Sequence, residues 1–399
     1  MNRLIGDHGC QEGDSGMKSR RMFRTVSVAL IASAAIMLSG CGSSSSFAPR
    51  GGTTVRAGTA QRFTGIHMIT AKQGWALNGY RIFRTNDAGV SWTNVSPAHF
   101  EEGSIRTDFL NANTAYAVSV PFGNLKRTEV LINRTSNGGR KWQSTRFYVL
   151  RAKSKGGVPL PPPLVSYVDF INPQAGWISL IDPANTGGGP TPGEVWVTKD
   201  GGVQWRPAQL HSSIGGSAYF LNSRTGWLFD STGAVGIAPG ETYSFVTRDG
   251  GGEWKHQSLP VLPSLSMDSQ TVFYVRVWPT SQAVVLMEYA SSRWVTYSTV
   301  DSGSKWRASA PATMIGQPPV AFYVSPTQGW LLVGDVLYRT TDGGNRWIVV
   351  NRSLKNVQTL DFVNPKIGFA LSSGKLLYTE NGGSVWSHRG KITADRNRL

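Results

Sequence analysis

Apolar residues along most of this chain stand in short runs cut by turn formers, and the same two phrases return with the runs. The third repeat shows the pattern in full. Leu164–Phe170, Gly176–Leu180, Glu194–Thr198 and Gln204–Leu210 each read as a strand, which we term A, B, C and D in order. Between C and D lies Thr198-Lys199-Asp200-Gly201-Gly202-Val203-Gln204-Trp205, of the form Ser/Thr-x-Asp-x-Gly-x-x-Trp. Between A and B lies a turn that ends in Gly176-Trp177.

The C–D phrase occurs seven times. Its Asp or Asn and its Trp are Asp87 and Trp92, Asn137 and Trp142, Asp200 and Trp205, Asp249 and Trp254, Asp301 and Trp306, Asp342 and Trp347, and Asn381 and Trp386. Successive tryptophans stand 39 to 63 residues apart, a period of repeated sheet units. An Asp or Asn side chain accepts hydrogen bonds from nearby backbone amides, and the Gly two places later can take a positive φ. The Trp returns a large apolar surface to the layer between sheets, so these residues are expected to build the fold and not to catalyse. The A–B phrase recurs as Gly74-Trp75, Ala115-Tyr116, Gly226-Trp227, Gly329-Trp330 and Gly368-Phe369; Gln282-Ala283 make the fifth repeat the least regular.

Four short antiparallel strands repeated seven times predict an all-β protein, a seven-bladed β-propeller with the Asp phrases as C–D turns. The expected propeller spans 61–390 as one domain. Strand order runs from an A strand near Arg62 to a D strand near Trp386, with no exchanged closing strand in view.

The N-terminus has a different character. Residues 1–40 read as a signal peptide with a basic start, an apolar run and small residues, and translation is expected to begin at Met17. Leu38-Ser39-Gly40-Cys41 resembles a bacterial lipobox, which implies lipid on Cys41 and membrane anchoring at the extracytoplasmic face. Residues 41–60 are expected to be a Ser/Gly tether, and 391–399 a basic tail.

Charge adds a hint about partners. Among 399 residues there are 40 Lys and Arg against 24 Asp and Glu, a formal net charge of +16. Such a balance favours anionic partners. For a tethered domain outside the membrane these are lipid headgroups, wall polymers or an acidic protein surface, and nucleic acid is not expected. The two cysteines, Cys10 and Cys41, both precede the repeats, and the histidines are isolated, so neither a metal site nor a cofactor is expected.

Alternation of strand direction places the A–B and C–D turns on one face. On the other face, blades 1, 6 and 7 have minimal B–C links (Asn78-Gly79, Gly334-Asp335, Ser373-Gly374), while blades 2 to 4 carry insertions at 121–128, 151–163, 182–193 and 231–241. Inserted loops on a rigid scaffold are where function concentrates, and this face carries Lys126, Arg127, Arg151, Lys153 and Lys155 as candidate partner-binding residues.

The repeated turns resemble the Asp-box, or BNR, repeat. Coupled with the "Phe-x-Asn-Pro-x-x-Gly-Trp" phrase, they resemble the photosystem II stability/assembly factor-like propellers over essentially all of 62–388. That resemblance implies a non-enzymatic scaffold or assembly factor for membrane or envelope complexes, here expected as a monomer. The alternative is a glycan-binding module or a sialidase-like glycoside hydrolase, since Asp boxes also occur in sialidases. Hydrolysis needs two carboxyl groups about 5–10 Å apart. The acidic residues outside the boxes (Glu101, Glu102, Asp108, Asp182, Glu241, Glu288) show no such pairing by spacing, and Tyr80-Arg81-Ile82-Phe83 lacks the Pro of the sialidase phrase.

Overall fold

The computed structural model describes residues 54–56, 63–98, 100, 103–121, 127–150, 161–182, 193–208, 216–229, 244–265, 270–290, 292–315 and 319–389. For 54–56, 127 and 150 it describes the backbone alone. These residues form seven antiparallel sheets arranged as a ring of blades.

Each blade runs A-B-C-D from the inside outwards. In blade 3 the strands are Leu164–Phe170, Gly176–Ile181, Gly193–Thr198 and Arg206–Pro207. The first three lie within one residue of the sequence expectation, whereas D is much shorter than Gln204–Leu210. The inner strands of the others are Gly65–Met68, Gly103–Asp108, Ser217–Phe220, Gln270–Trp278, Val320–Tyr323 and Val357–Phe362. The minimal B–C link of blade 1 is Gly79-Tyr80, one residue later than expected, because Asn78 still pairs with Arg81. Gly334-Asp335 and Ser373-Gly374 are two-residue hairpin loops as read from sequence.

The Asp phrase owes its recurrence to a dense local network. In blade 3 the Thr198 hydroxyl donates to Asp200 Oδ1 at 2.8 Å and accepts from the Gly202 amide at 2.9 Å, while the Gln204 amide donates to Asp200 Oδ1 at 3.0 Å. The same bonds join Thr340, Asp342, Gly344 and Arg346 in blade 6. All seven threonines are buried, so the hydroxyl is the hub of the turn. Two successive residues take positive φ, for example Gly201 at 74° and Gly202 at 89°, which explains the Gly-Gly pairs. Blades 1 and 5 place Ala88 (61°) and Ser302 (60°) at the first of these positions, against the preference of an L-residue.

The box tryptophans are less buried than the sequence reading supposed. Trp92 and Trp254 are buried, whereas Trp142, Trp205, Trp306, Trp347 and Trp386 are half-buried. The rings of the B strands are uniformly deep: Trp75, Trp177, Trp227 and Trp330 are at most 2% exposed. Each Gly before them leaves room for the aromatic or Met side chain that ends strand A, where a Cβ would collide; at Gly176 that neighbour is Phe170.

A three-ring stack then joins neighbouring blades. Trp177 of blade 3 lies parallel to Phe220 of blade 4 at 3.6 Å between centroids, and Trp254 meets Phe220 edge-on at 5.9 Å. Tyr116, Phe170 and Trp205 repeat the arrangement between blades 2 and 3, and Trp330, Phe362 and Trp386 between blades 6 and 7. Such pairs add about 0.5–1.5 kcal/mol beyond burial. The fifth repeat is irregular because Val277 and Val284 stand where the A-strand and B-strand rings would be, and Ala283 where the Gly would be.

One feature was not foreseen. Three residues of the stretch expected as a tether, Thr54–Arg56, form a fifth, outermost strand on blade 1, antiparallel to its D strand Ser91–Asn94. As the strand order implied, the ring closes among the described residues without strand exchange, by packing the inner strand of blade 1 against that of blade 7.

Candidate functional site at the ring axis

The register of strand A against strand B places one residue of every blade at an equivalent inner position, opposite the residue after the B-strand Gly. These are His67, Asp108, Asp169, Tyr219, Arg276, Phe322 and Asp361. Two residues earlier on the A strands of blades 2, 3 and 5, Arg106, Tyr167 and Tyr274 form a second tier. Strand A is the inner edge of its sheet, so alternate amides lack a partner within the blade.

The three aspartates supply that partner across the junction. Asp108 Oδ2 accepts from the Phe170 amide at 2.7 Å, Asp169 Oδ2 from the Phe220 amide at 2.6 Å, and Asp361 Oδ2 from the Met68 amide at 2.5 Å. Blades 2 to 3, 3 to 4 and 7 to 1 are thereby latched in the same way. Between blades 5 and 6 the Tyr323 amide donates instead to the Tyr274 hydroxyl, at 3.3 Å.

Desolvation dominates the electrostatics. Burial, with Asp169 close by, pushes the Asp108 carboxyl up to about 8, against the pull of the Phe170 amide. Burial likewise raises Asp169 to about 7 and Asp361 above its ordinary value, although His67, the Met68 amide and Arg276 oppose the shift at Asp361. His67 leaves 38% of its side chain accessible and sits 3.5 Å from Asp361 Oδ2, yet burial still lowers its pKa. Accessible surface and dense surroundings coexist because the ring faces the axis of the propeller. Arg276 lies over the Phe322 ring at 4.5 Å, a cation–π contact.

The box carboxylates behave oppositely. Asp200 is held below the usual carboxylate range by the Gln204 amide, with the Thr198 hydroxyl helping against slight desolvation, and Asp301 by the amide of Lys305. Anions saturated by backbone donors stabilise a turn, and Asp87 and Asp249 are lowered in the same way.

Of the residues proposed from sequence for partner binding, Lys126, Arg151, Lys153 and Lys155 lie outside the described residues, as does Cys41. Arg127 begins strand C of blade 2, with its backbone alone described. The axial ring was missed because each member looks like an ordinary strand residue. The Val-Asp-Phe and Leu-Asp-Phe triplets at 168–170 and 360–362 carried the signal, a charged residue set in an otherwise apolar run. Among the described residues no group of three His, Cys, Asp or Glu side chains could hold a metal ion.

No family profile and no curated protein sequence matches the chain. Its fold does match solved propellers. The structure of YCF48 bound to a D1 peptide is similar with a TM-score of 0.52 at 16% identity, over 84% of this chain and 98% of that one. PorZ, an essential bacterial surface component of the type-IX secretion system of Porphyromonas gingivalis, reaches 0.49 at 10% identity, over 86% of this chain and 39% of its own. An ancestral GH74 enzyme reaches 0.48 at 12%, over 84% and 47%. At these identities the likeness is one of fold.

Proposed function

We propose that this protein is a non-enzymatic, extracytoplasmic scaffold that binds a segment of a membrane or envelope protein, held at the membrane through lipidated Cys41. The observation that carries the reading is that the carboxylates of the boxes and of the ring axis already have structural partners. The box aspartates cap turns, and Asp108, Asp169 and Asp361 latch blades. A glycoside hydrolase would need two of its carboxyl groups free to act on a sugar. The similarity to YCF48, a propeller whose structure holds a D1 peptide, supports a protein ligand over a glycan.

Affinity capture of the anchored protein from its own membranes, with crosslinking and mass spectrometry, tests the proposal. A discrete membrane-protein partner is expected. Reversing the charge of Lys126, Arg127, Arg151, Lys153 and Lys155 together should weaken capture with little change in Tm. Recovery of wall polymer alone, or turnover on a glycoside panel, would move the protein to the glycan-active class.

A further inference from the structure

Around the seam where the ring closes, its two faces differ in charge. Blades 6, 7 and 1 turn from strand B to strand C through Gly334-Asp335, Ser373-Gly374 and Gly79-Tyr80, and residues 352–356 link strand D of blade 6 to strand A of blade 7. All four links lie on the face opposite the Asp boxes. They are knit together. The Leu354 amide donates to the Asp335 carbonyl at 3.2 Å, the Ser373 amide to the Asn356 carbonyl at 3.0 Å, and the Ser372 hydroxyl to the Lys355 carbonyl at 2.7 Å. Blade 1 joins this sector through the core it shares with blade 7, where Phe83 and Trp92 cluster with Leu376 and Tyr378.

Arg81, Arg352, Lys355 and Lys375 are exposed on or beside these links, and among the described residues of the sector Asp335 is the one exposed acid on that face. The box face of the same blades is balanced, with Lys72, Arg346 and Lys366 exposed against Asp87, Asp342 and Glu380. Apolar side chains accompany the basic ones. Tyr80 is 38% exposed in the blade 1 hairpin, and Ile315 is 86% exposed in the link from blade 5 to blade 6. The N-terminal strand points to the occupant. Thr54 pairs with Thr93 and Arg56 with Ser91, and strand D of blade 1 runs away from its box, so Thr54 lies at the end of that strand farther from the box. Thr54 is also the end of Thr54–Arg56 nearer in sequence to Cys41, 13 residues away, a contour of at most about 45 Å. The chain that leads from Cys41 thus joins blade 1 on the side of the basic face.

We propose that the link face of blades 6, 7 and 1 docks on a membrane surface of anionic lipid headgroups, with Arg81, Arg352, Lys355 and Lys375 among the headgroups and Tyr80 and Ile315 reaching towards the acyl chains. The inference rests on the reading of Cys41 as the lipid anchor and deepens the scaffold proposal by giving the ring an orientation. An anchor on a tether fixes distance only. Each basic side chain close to an anionic surface strengthens binding about fivefold, and that gain fades within a Debye length, about 8 Å at physiological salt. Lys and Arg bring apolar stems to the same boundary, and Tyr suits it because one end of its ring is polar. The docked ring turns towards the membrane the face on which the sequence places the insertions of blades 2 to 4, where a membrane protein would be met.

The test places a fluorophore on either face. The repeats contain no cysteine, so Ser373→Cys and Lys366→Cys, at exposed positions on opposite faces of blade 7, each give one thiol on the propeller. Protein purified from its own membranes is labelled and reconstituted into vesicles that carry a headgroup nitroxide quencher, made of phosphatidylcholine with phosphatidylglycerol or of phosphatidylcholine alone. In the anionic vesicles quenching at 373 should exceed that at 366 several-fold. The difference should vanish in phosphatidylcholine alone, in high salt, and when Arg81, Arg352, Lys355 and Lys375 are all replaced by Glu. Salt and lipid composition decide the matter should that variant not fold. Equal quenching at the two positions, stronger quenching at 366, or indifference to salt would overturn the proposal, as would retention on soluble wall polymer without facial quenching. Mass spectrometry of the same preparation reads the anchor separately: lipid on Cys41 without a facial preference refutes the docking face alone, whereas a facial preference without lipid supports the docking face and removes the anchor. Loss of facial quenching with partner capture intact refutes the docking face and leaves the scaffold reading.

Discussion

Asp361 of the seventh blade accepts a hydrogen bond from the Met68 amide of the first, and this contact between residues 293 positions apart joins the two ends of the ring. Among the described residues no strand is exchanged, so closure rests on packing and on this bond. Asp361→Ala leaves a buried amide without an acceptor, which costs about 1–3 kcal/mol. Asp361→Asn keeps an oxygen in place and should cost less. Urea denaturation of both variants checks the order, and equal stabilities would show that the bond does not hold the seam.

Protonation of the latches should make stability fall with rising pH. Asp108 is raised to about 8 and Asp169 to about 7, above an unfolded carboxylate near 3.9. The folded state therefore binds protons more tightly than the unfolded chain. Stability from these groups is fully present below about pH 4 and is lost as pH rises through about 7 and 8. Tm measured from pH 5 to pH 9 should decline, and the double variant Asp108→Asn with Asp169→Asn should flatten that decline.

The box hydroxyl should matter more than the box surface. Thr198→Val removes the group that joins Asp200 to the Gly202 amide and should cost about 1–3 kcal/mol. Lys199→Ala, one residue on and exposed, should change stability by no more than about 0.5 kcal/mol. Denaturant midpoints measured side by side compare the two.

The two tryptophan classes should separate in the same assay. Trp177 is 2% exposed and stacked on Phe220, so Trp177→Ala should cost about 3–5 kcal/mol. Trp205 is half-buried, and Trp205→Ala should cost less. A larger loss at Trp205 would mean that the box ring, and not the B-strand ring, anchors the blade.

Ala88 offers a gain. It holds φ at 61°, and Gly occupies the equivalent place in blades 2, 3, 4, 6 and 7. Ala88→Gly removes the Cβ strain and should stabilise the domain by about 0.5–1 kcal/mol after its own entropic cost. An unchanged or lower Tm would show that the turn relaxes around Ala.

The seven repeats, the four strands of each blade and the chemistry of the Asp turn were determined by sequence alone. Each rests on residues within a few positions of one another: Thr, Asp and Gly meet through a turn whatever lies beyond it. The tertiary structure decided what depends on neighbouring blades. Asp108 and Phe170 are 62 residues apart, and Asp169 and Phe220 are 51, so nothing local marks these carboxylates as latches. Trp177 and Trp205 look alike as letters, but only the stacking of one blade on the next buries the first more deeply than the second. Thr54–Arg56 become a strand because a D-strand edge stands beside them, and strand D of blade 2, Gln143–Leu150, is long because Phe147 and Val149 pack against the neighbouring blade. Local hydrogen bonding is written in adjacent letters, whereas burial and edge pairing are properties of surfaces that exist only once the ring has formed.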